Sequence, residues 1–237
     1  ANEQLIFAVR DNSGPYAVSV SYENNASDLS IEFVYSDGTY VNKKYSVEMD
    51  DGGWRFLIIT FDGVALYNGG AQTASGLGFY INGTQQTPST TTINIAGDKT
   101  SSNLYGINKV YIGDGDIKLY LDDVAIWNSH FSSQYVTELY NGGKYFNIYD
   151  HTAVSKIISY YSFDNSSDST STIQDNVGSN HMAVFDNTKA SFITGRAPTD
   201  RINLITQNIT SSVTNTIITS RFSAPGGIET SHAYLDV

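Results

Sequence analysis

The sequence contains no cysteine. A disulfide framework and a thiolate-ligated zinc are therefore both excluded, and cysteine usage assigns the chain to neither a reducing nor an oxidising compartment. Cations are also scarce: 13 Lys and Arg stand against 24 Asp and Glu, a formal net charge of −11. Nucleic-acid binding needs clustered Lys and Arg to neutralise phosphates, so no nucleic-acid partner is expected, and an anionic membrane is an unfavourable surface. The plainest consequence of the charge is solubility. The four histidines, His130, His151, His181 and His232, follow no metal-ligand spacing, and no Gly-x-Ser-x-Gly elbow is present. No apolar run reaches membrane-spanning length and no signal-peptide pattern opens the chain, so no membrane insertion is expected. Because the first residue is Ala1 rather than Met, the chain is expected to be part of a longer polypeptide.

What is abundant is equally directive. Tyrosine is the commonest aromatic, at 17 residues, and only 16% of the chain is charged. With plentiful Ser, Thr and Asn, this is the profile of a β-rich, weakly charged, extracellular-type surface. A chain of 237 residues can bury one β-sandwich core with a small appendage. The organising stretch is residues 110–143, VYIGDGDIKLYLDDVAIWNSHFSSQYVTELYNGG. Val110-Tyr111-Ile112 leads into Gly113-Asp114-Gly115-Asp116, a turn with glycines for positive φ and aspartates to bond the backbone. Ile117, Leu119 and Leu121 alternate with polar residues, the period of a half-buried strand. The apolar positions then move out of phase to Val124 and Ile126, which predicts a bulge at Asp122-Asp123, or a strand passing from an edge to a doubly covered position. Ser132 or Ser133 caps a helix over 133–140 whose inward face is Val136, Leu139 and Tyr140, and Asn141-Gly142-Gly143 ends it.

Upstream, the wholly apolar run 5–9 reads as an inner strand. Alternating runs at 16–22, 29–35 and 40–47, separated by short turns, predict an antiparallel meander. Trp54 heads the apolar run 56–61 and reads as a core residue. The segment 76–84 ends in Asn82-Gly83, a strong hairpin signal, and a polar excursion over 85–105 carries a short strand at 92–95. Downstream come a strand at 156–164 and a second at 182–185, joined by a polar loop. Residues 201–219 are β-prone, without Gly or Pro, and too poor in large apolar residues to form their own core.

The string LDDVAIWN followed by FSSQYVTELYNGG, with Gly53-Trp54 before an apolar strand, Phe61-Asp62-Gly63 and the strand ending in Asn82-Gly83, resembles the laminin-G-like jelly rolls of the concanavalin A-like superfamily. The resemblance implies an all-β, antiparallel jelly-roll β-sandwich with one short helix and an extended C-terminal tail. The series Tyr161-Ser162-Phe163-Asp164 then Asp175-x-x-Gly178-x-x-His181 opens such jelly rolls in that family. Here it follows the closing strand, so completion of the sandwich in permuted order is expected, with a domain over 1–197 and a β-prone tail over 198–237. Ser220-Arg221-Phe222-Ser223-Ala224-Pro225-Gly226-Gly227 is similar to a segment that follows such domains in long structural proteins of marine phages, which implies a virion or extracellular-surface location.

The superfamily's retaining glycosidases place two carboxylates about 5 Å apart, commonly from Glu-x-Asp-x-Glu on one strand. The glutamates here, Glu3, Glu23, Glu32, Glu48, Glu138 and Glu229, are isolated, so no enzyme activity is expected and a degenerate glycoside hydrolase ranks third. The resemblance also implies calcium at a sandwich edge, for which Asp98, Asp114, Asp116, Asp122, Asp123 and Asn128 supply hard oxygens; the same aspartates serve equally as turn and bulge formers. Carbohydrate binding, the family's commonest task, would use Tyr67, Tyr105, Tyr111 and Tyr120 as stacking platforms. The expected function is a non-enzymatic structural and adhesive module that binds host-surface glycans; the alternative is a free-standing calcium-dependent lectin. The sandwich also lacks an inner strand before residue 5, so the tail is expected to add a strand to a neighbouring subunit, or neighbouring or upstream chain to fill the gap, giving a homo-oligomer or larger structural assembly.

Overall fold

The computed structural model describes residues 3–10, 15–23, 27–48, 54–61, 76–94, 104, 109–114, 120–143, 146–163, 167–169, 171–184, 216–223 and 233–236. The first four strands, β1 (Glu3–Arg10), β2 (Tyr16–Glu23), β3 (Asp28–Val34) and β4 (Tyr40–Ser46), form the expected antiparallel meander. The β3–β4 turn is set by Asp37, whose Oδ1 accepts from Thr39 N at 3.1 Å and Thr39 Oγ1 at 2.6 Å. Gly38 takes the positive φ of 81° that the turn needs.

The remaining strands are β5 (Arg55–Phe61), β6 (Leu77–Ile81), β7 (Thr84–Gln85), β8 (Thr90–Asn94), β9 (Lys109–Asp114), β10 (Tyr120–Trp127), β11 (Ile157–Tyr161), β12 (Thr172–Ile173), β13 (Met182–Val184), β14 (Thr216–Ser223) and β15 (Ala233–Asp236). Among the described residues they complete two sheets, one ordered β12-β13-β15-β9-β1-β2-β3-β4-β8 and the other β11-β10-β14-β5-β6-β7. The inner faces meet in one apolar layer: Phe33 packs on Phe61 with ring centroids 5.1 Å apart, and Tyr45 on Phe79 at 4.9 Å. Both faces of β5 are covered, since Leu57, Ile59 and Phe61 belong to this layer while Phe56 and Ile58 belong to a second cluster. That double burial explains a run apolar at nearly every position.

The second cluster lies on the outer side of the smaller sheet, under helix α1 (Ser133–Tyr140). Ser132 is the N-cap, its side chain accepting from Tyr135 N, and Asn141 ends the helix in the left-handed conformation at φ 47°. Val136 and Leu139 are the helix's buried residues. The Asn82-Gly83 hairpin is tied to β5, with Phe56 N donating to Asn82 Oδ1 at 2.9 Å and Asn82 N to Phe56 O at 2.8 Å. Gly83 must be glycine twice over: φ is 75°, and a Cβ there would stand 2.5 Å from Tyr140 Cδ1.

Three expectations change. First, β9 and β10, expected on either side of a turn at 113–116, belong to different sheets: β9 pairs with β1 and β15, and β10 with β11 and β14. Second, the buried tryptophan is Trp127, at 0% exposure, whereas Trp54 precedes β5 and is only half-buried. Trp54 lies just outside the strand, beyond the reach of the doubly covered part. Third, the segment expected to leave as an assembly tail holds two strands that pair within this chain, β14 between β10 and β5, and β15 between β9 and β13. β11, β12 and β13 join the same two sheets.

His151 is buried in the second cluster, its ring stacked on Phe131 at 5.1 Å and edge-on to Trp127 at 4.8 Å. Nδ1 accepts from Ala153 N at 3.0 Å and Nε2 lies 3.2 Å from Tyr135 O, so the neutral tautomer with hydrogen on Nε2 satisfies both contacts. Burial holds its pKa below the ordinary histidine value, against the Tyr135 carbonyl and the Glu138 carboxylate 3.8 Å from Nε2, which favour the charged form. The folded state therefore binds the proton less readily than the unfolded chain. Stability is expected to be full above about pH 6.5, to fall by at most about 1.4 kcal/mol per pH unit below it, and to level off under the folded-state pKa. Urea titrations of the wild type and His151→Gln between pH 8 and 5 check this. Equal slopes in the two proteins would assign the pH dependence elsewhere.

Candidate ligand-binding edge

At the β11 edge of the smaller sheet, the loop over residues 174–181 is folded onto the strand by one carboxylate. Asp175 Oδ1 accepts from Tyr160 N and Val177 N, each at 3.0 Å, and Oδ2 accepts from Asn180 N at 3.2 Å. Asp175 N in turn donates to His181 Nδ1 at 3.1 Å. A Cβ on Gly178 would meet Asp175 Oδ2 at 2.7 Å and the Ile158 carbonyl at 3.0 Å. The Asp-x-x-Gly-x-x-His spacing is thus one device: an acceptor, a residue small enough to close on it, and a ring nitrogen behind it. Further bonds, Asn176 N to Tyr160 O at 2.7 Å, Asn176 Nδ2 to Ser162 Oγ at 2.8 Å and Asn180 Nδ2 to Ser159 Oγ at 3.0 Å, cover an edge that would otherwise be open to strand addition.

Tyr160 is held at both ends. Its amide is bonded to Asp175, and its hydroxyl donates to Asp123 Oδ1 at 2.5 Å. Burial, then the Asp123 carboxylate, push the phenol pKa far above its usual value, so it stays a donor. Asp123 has φ 55° at a register shift between Asp122 and Ala125, the bulge anticipated from the change of phase. The bulge directs an acidic side chain into the protein to hold Tyr160.

Against this fixed ring stands Tyr149, edge-on at 6.0 Å and 86°. It belongs to the 3₁₀ turn Ile148–Asp150, capped by Asn147, whose Oδ1 accepts from Tyr149 N at 3.2 Å. Its hydroxyl donates to the Asn176 carbonyl at 3.4 Å. Tyr149 is 48% exposed, and Val177, next to Asn176, is 42% exposed; among the described residues they are the exposed large apolar side chains. An exposed aromatic ring packed on Tyr160, bonded through its hydroxyl to the loop that carries Val177 and followed by the exposed Asp150, can stack on a flat apolar surface and bond hydroxyls at its rim.

The residues proposed from sequence are dispersed. Tyr67, Tyr105, Asp98 and Asp116 lie outside the described residues. Tyr111 is half-buried and carries the Arg10 guanidinium over its ring at 4.6 Å, so one stacking face is taken. Tyr120 is the first residue of β10, opposite Ser223. Asp114 ends β9, opposite Leu5 in the larger sheet, whereas Asp122 and Asp123 are buried in the smaller one. Asn128 is exposed just past the other end of β10, its amide bonded to the Lys156 carbonyl. A six-residue separation along a strand is about 20 Å, so Asn128 and Asp122 do not belong to one ion site. Among the described residues no three His, Asp or Glu side chains are grouped to hold a metal ion. Tyr149 carries no sequence signal of its own, since a single 3₁₀ turn is too short for periodicity.

Two antiparallel sheets packed face to face, with a short helix on the outer face of one, define an antiparallel β-sandwich. The chain belongs to the concanavalin A-like lectin/glucanase superfamily, whose family model matches residues 1–137. The match ends inside α1, so β11 to β15, the Asp175 loop and Tyr149 lie beyond it. No curated protein and no solved structure matches the chain.

Proposed function

We propose that the protein is a non-enzymatic adhesive module of a virion or extracellular appendage that binds neutral surface glycans at the Tyr149 edge. The observation that carries this reading is the pre-set ring of Tyr149, exposed, packed on the buried Tyr160 and tied by its hydroxyl to the Asn176 carbonyl. Stacking on a sugar's C–H face then costs little ordering of the protein. The acidic chain, with Asp150 next to the ring, disfavours sulfated or sialylated ligands. A binding rather than hydrolytic role accords with the glutamates: Glu23 is paired with Lys44, Glu32 bonded by Asn42 and Glu138 bonded by Thr152, each on a different element.

A glycan array with neutral and anionic members, run with calcium and with EDTA, tests the proposal. Hits are expected among neutral glycans, and Tyr149→Ala is expected to weaken them at least tenfold, about 1.4 kcal/mol, while melting within a few degrees of wild type. Tyr149→Phe should retain most of the binding. Loss of every hit in EDTA would support the calcium-dependent lectin instead. Hits unchanged in Tyr149→Ala would place the glycan site elsewhere.

A further inference from the structure

We propose that residues 147–156 form an acid-operated latch: a proton taken up by His151 opens the segment and releases the ring of Tyr149 from Tyr160. This extends the reading of the Tyr149 edge to its regulation, and it rests on that reading. Two 3₁₀ turns, Ile148–Asp150 and Val154–Lys156, flank His151. Its backbone joins them, since His151 N donates to the Ile148 carbonyl at 3.2 Å and its own carbonyl accepts from Val154 N at 2.9 Å. The ring ties the turns to the helix. Nδ1 accepts from Ala153 N at 3.0 Å, and Nε2 meets the Tyr135 carbonyl of α1 at 3.2 Å. Thr152, the next residue, holds the same helix, its N and Oγ1 both donating to Glu138 Oε1 at 2.8 Å. Tyr149 belongs to the first turn, so its edge-on contact with Tyr160 requires that turn to hold.

The neutral ring satisfies these partners in one tautomer, with hydrogen on Nε2. A second proton has to go on Nδ1, where the Ala153 amide already points its own hydrogen. That bond is then lost, and two donors face each other in a buried site. The walls of the site are Trp127 of β10, Phe131 from the link between β10 and α1, Phe146, and Tyr135 of α1. The titratable groups facing the ring are Tyr135 and Glu138, whose Oε2 lies 3.8 Å from Nε2. Asp150 and Lys156 of the segment itself are exposed. Glu138 attracts a charged ring, but from the Nε2 side, so the opposed donors at Nδ1 remain. In the opened segment the ring meets water and takes a proton at the ordinary histidine value of about 6.5. Acid therefore favours the open form by up to about tenfold per pH unit below that value, until the closed form also binds the proton. Opening two short turns costs less than unfolding either sheet, so the latch yields first.

Amide hydrogen exchange of the full chain between pH 8 and 5, corrected for the intrinsic rate at each pH, tests the latch. Amides of residues 150–156 are expected to open more readily than those of β5, and up to about tenfold more per unit below pH 6.5. His151→Gln should flatten that rise. His151→Asn, whose Oδ1 can accept from Ala153 N in place of Nδ1, is the second variant, and the wild-type comparison with β5 stands without either. His181 is the competing group, because its Nδ1 accepts from Asp175 N in the loop that bonds Tyr149; His181→Asn controls for it. Neutral glycans bound at pH 7.5 are expected to bind more weakly at pH 5.5. Opening equal to that of β5 at every pH overturns the proposal, as does opening that does not rise with acid. A rise that survives His151→Gln and vanishes in His181→Asn also overturns it, and so do equal glycan affinities at the two pH values. Absence of glycan binding at either pH would sink the reading of the Tyr149 edge instead, and exchange would still decide whether the latch exists.

Discussion

Trp127→Ala is expected to lower stability by about 3–5 kcal/mol, the range for removing a fully buried large aromatic. For a domain of this size that corresponds to a fall in melting temperature on the order of 10 °C or more. Trp127 is at 0% exposure at the centre of the outer cluster, with Phe131 at 4.8 Å and His151 at 4.8 Å, both edge-on. These rings belong to the chain that follows β10, so the cavity would loosen the packing of that whole region on the sheet. The indole Nε1 has no hydrogen-bond partner among the described residues. Trp127→Phe, which keeps a ring and deletes that donor, should therefore cost much less, on the order of 1–2 kcal/mol. Trp54→Ala is the comparison: half-buried and outside the strand, it should cost about 1 kcal/mol. Urea denaturation of the three variants decides the order, and a Trp54→Ala loss equal to that of Trp127→Ala would contradict the burial described.

Asp175→Ala should be nearly as damaging, at about 3–4 kcal/mol. The carboxylate is buried and accepts from three backbone amides, those of Tyr160, Val177 and Asn180. Alanine leaves all three without that acceptor, and each buried unsatisfied donor costs about 1–3 kcal/mol, reduced where water enters the partly exposed loop. Asp175→Asn separates the contributions. Its carbonyl oxygen can still accept from Tyr160 and Val177, while its NH₂ would face the Asn180 amide, so roughly half the loss is expected. The loop also sets the position of Tyr149 through the Asn176 carbonyl, so, on the proposed function, Asp175→Asn should weaken glycan binding through the placement of Tyr149 alone. If Asp175→Asn matched Asp175→Ala in stability, the bonds to Tyr160 and Val177 would not be what holds the loop.

Asp123, one of the residues expected to hold calcium, and Asp175 show how acidic residues can serve the protein internally. Both converge on Tyr160, one through its amide and one through its hydroxyl. Short charge-assisted bonds from rigid donors are the strong kind, and here they fix the ring on which the exposed Tyr149 rests. The calcium expectation rests on family habit and on oxygen-rich turns. Of its residues, the buried Asp123 at the bulge has a structural use, holding the Tyr160 hydroxyl, that spacing alone does not distinguish from ligation.

Local alternation and turn chemistry determined much of this protein from sequence alone. The meander from β1 to β4, the Asn82-Gly83 hairpin, the bulge at Asp122-Asp123 and the helix with its Ser132 cap and Asn141 stop all rest on backbone conformations and face periodicities that a few neighbouring residues dictate. The Asp-x-x-Gly-x-x-His series was visible too, as a pattern without a purpose until Gly178 was seen against Asp175. Tertiary structure alone decided which tryptophan is buried, that β9 and β10 belong to different sheets, and that Tyr149 faces outward on a braced support. It also set β14 between β5 and β10. The reason is common to all four: a strand's pattern shows that one face or both will be covered, but not by which element. Covering partners here come from as far away as the C-terminal strands, and the sequence near a residue holds no record of them.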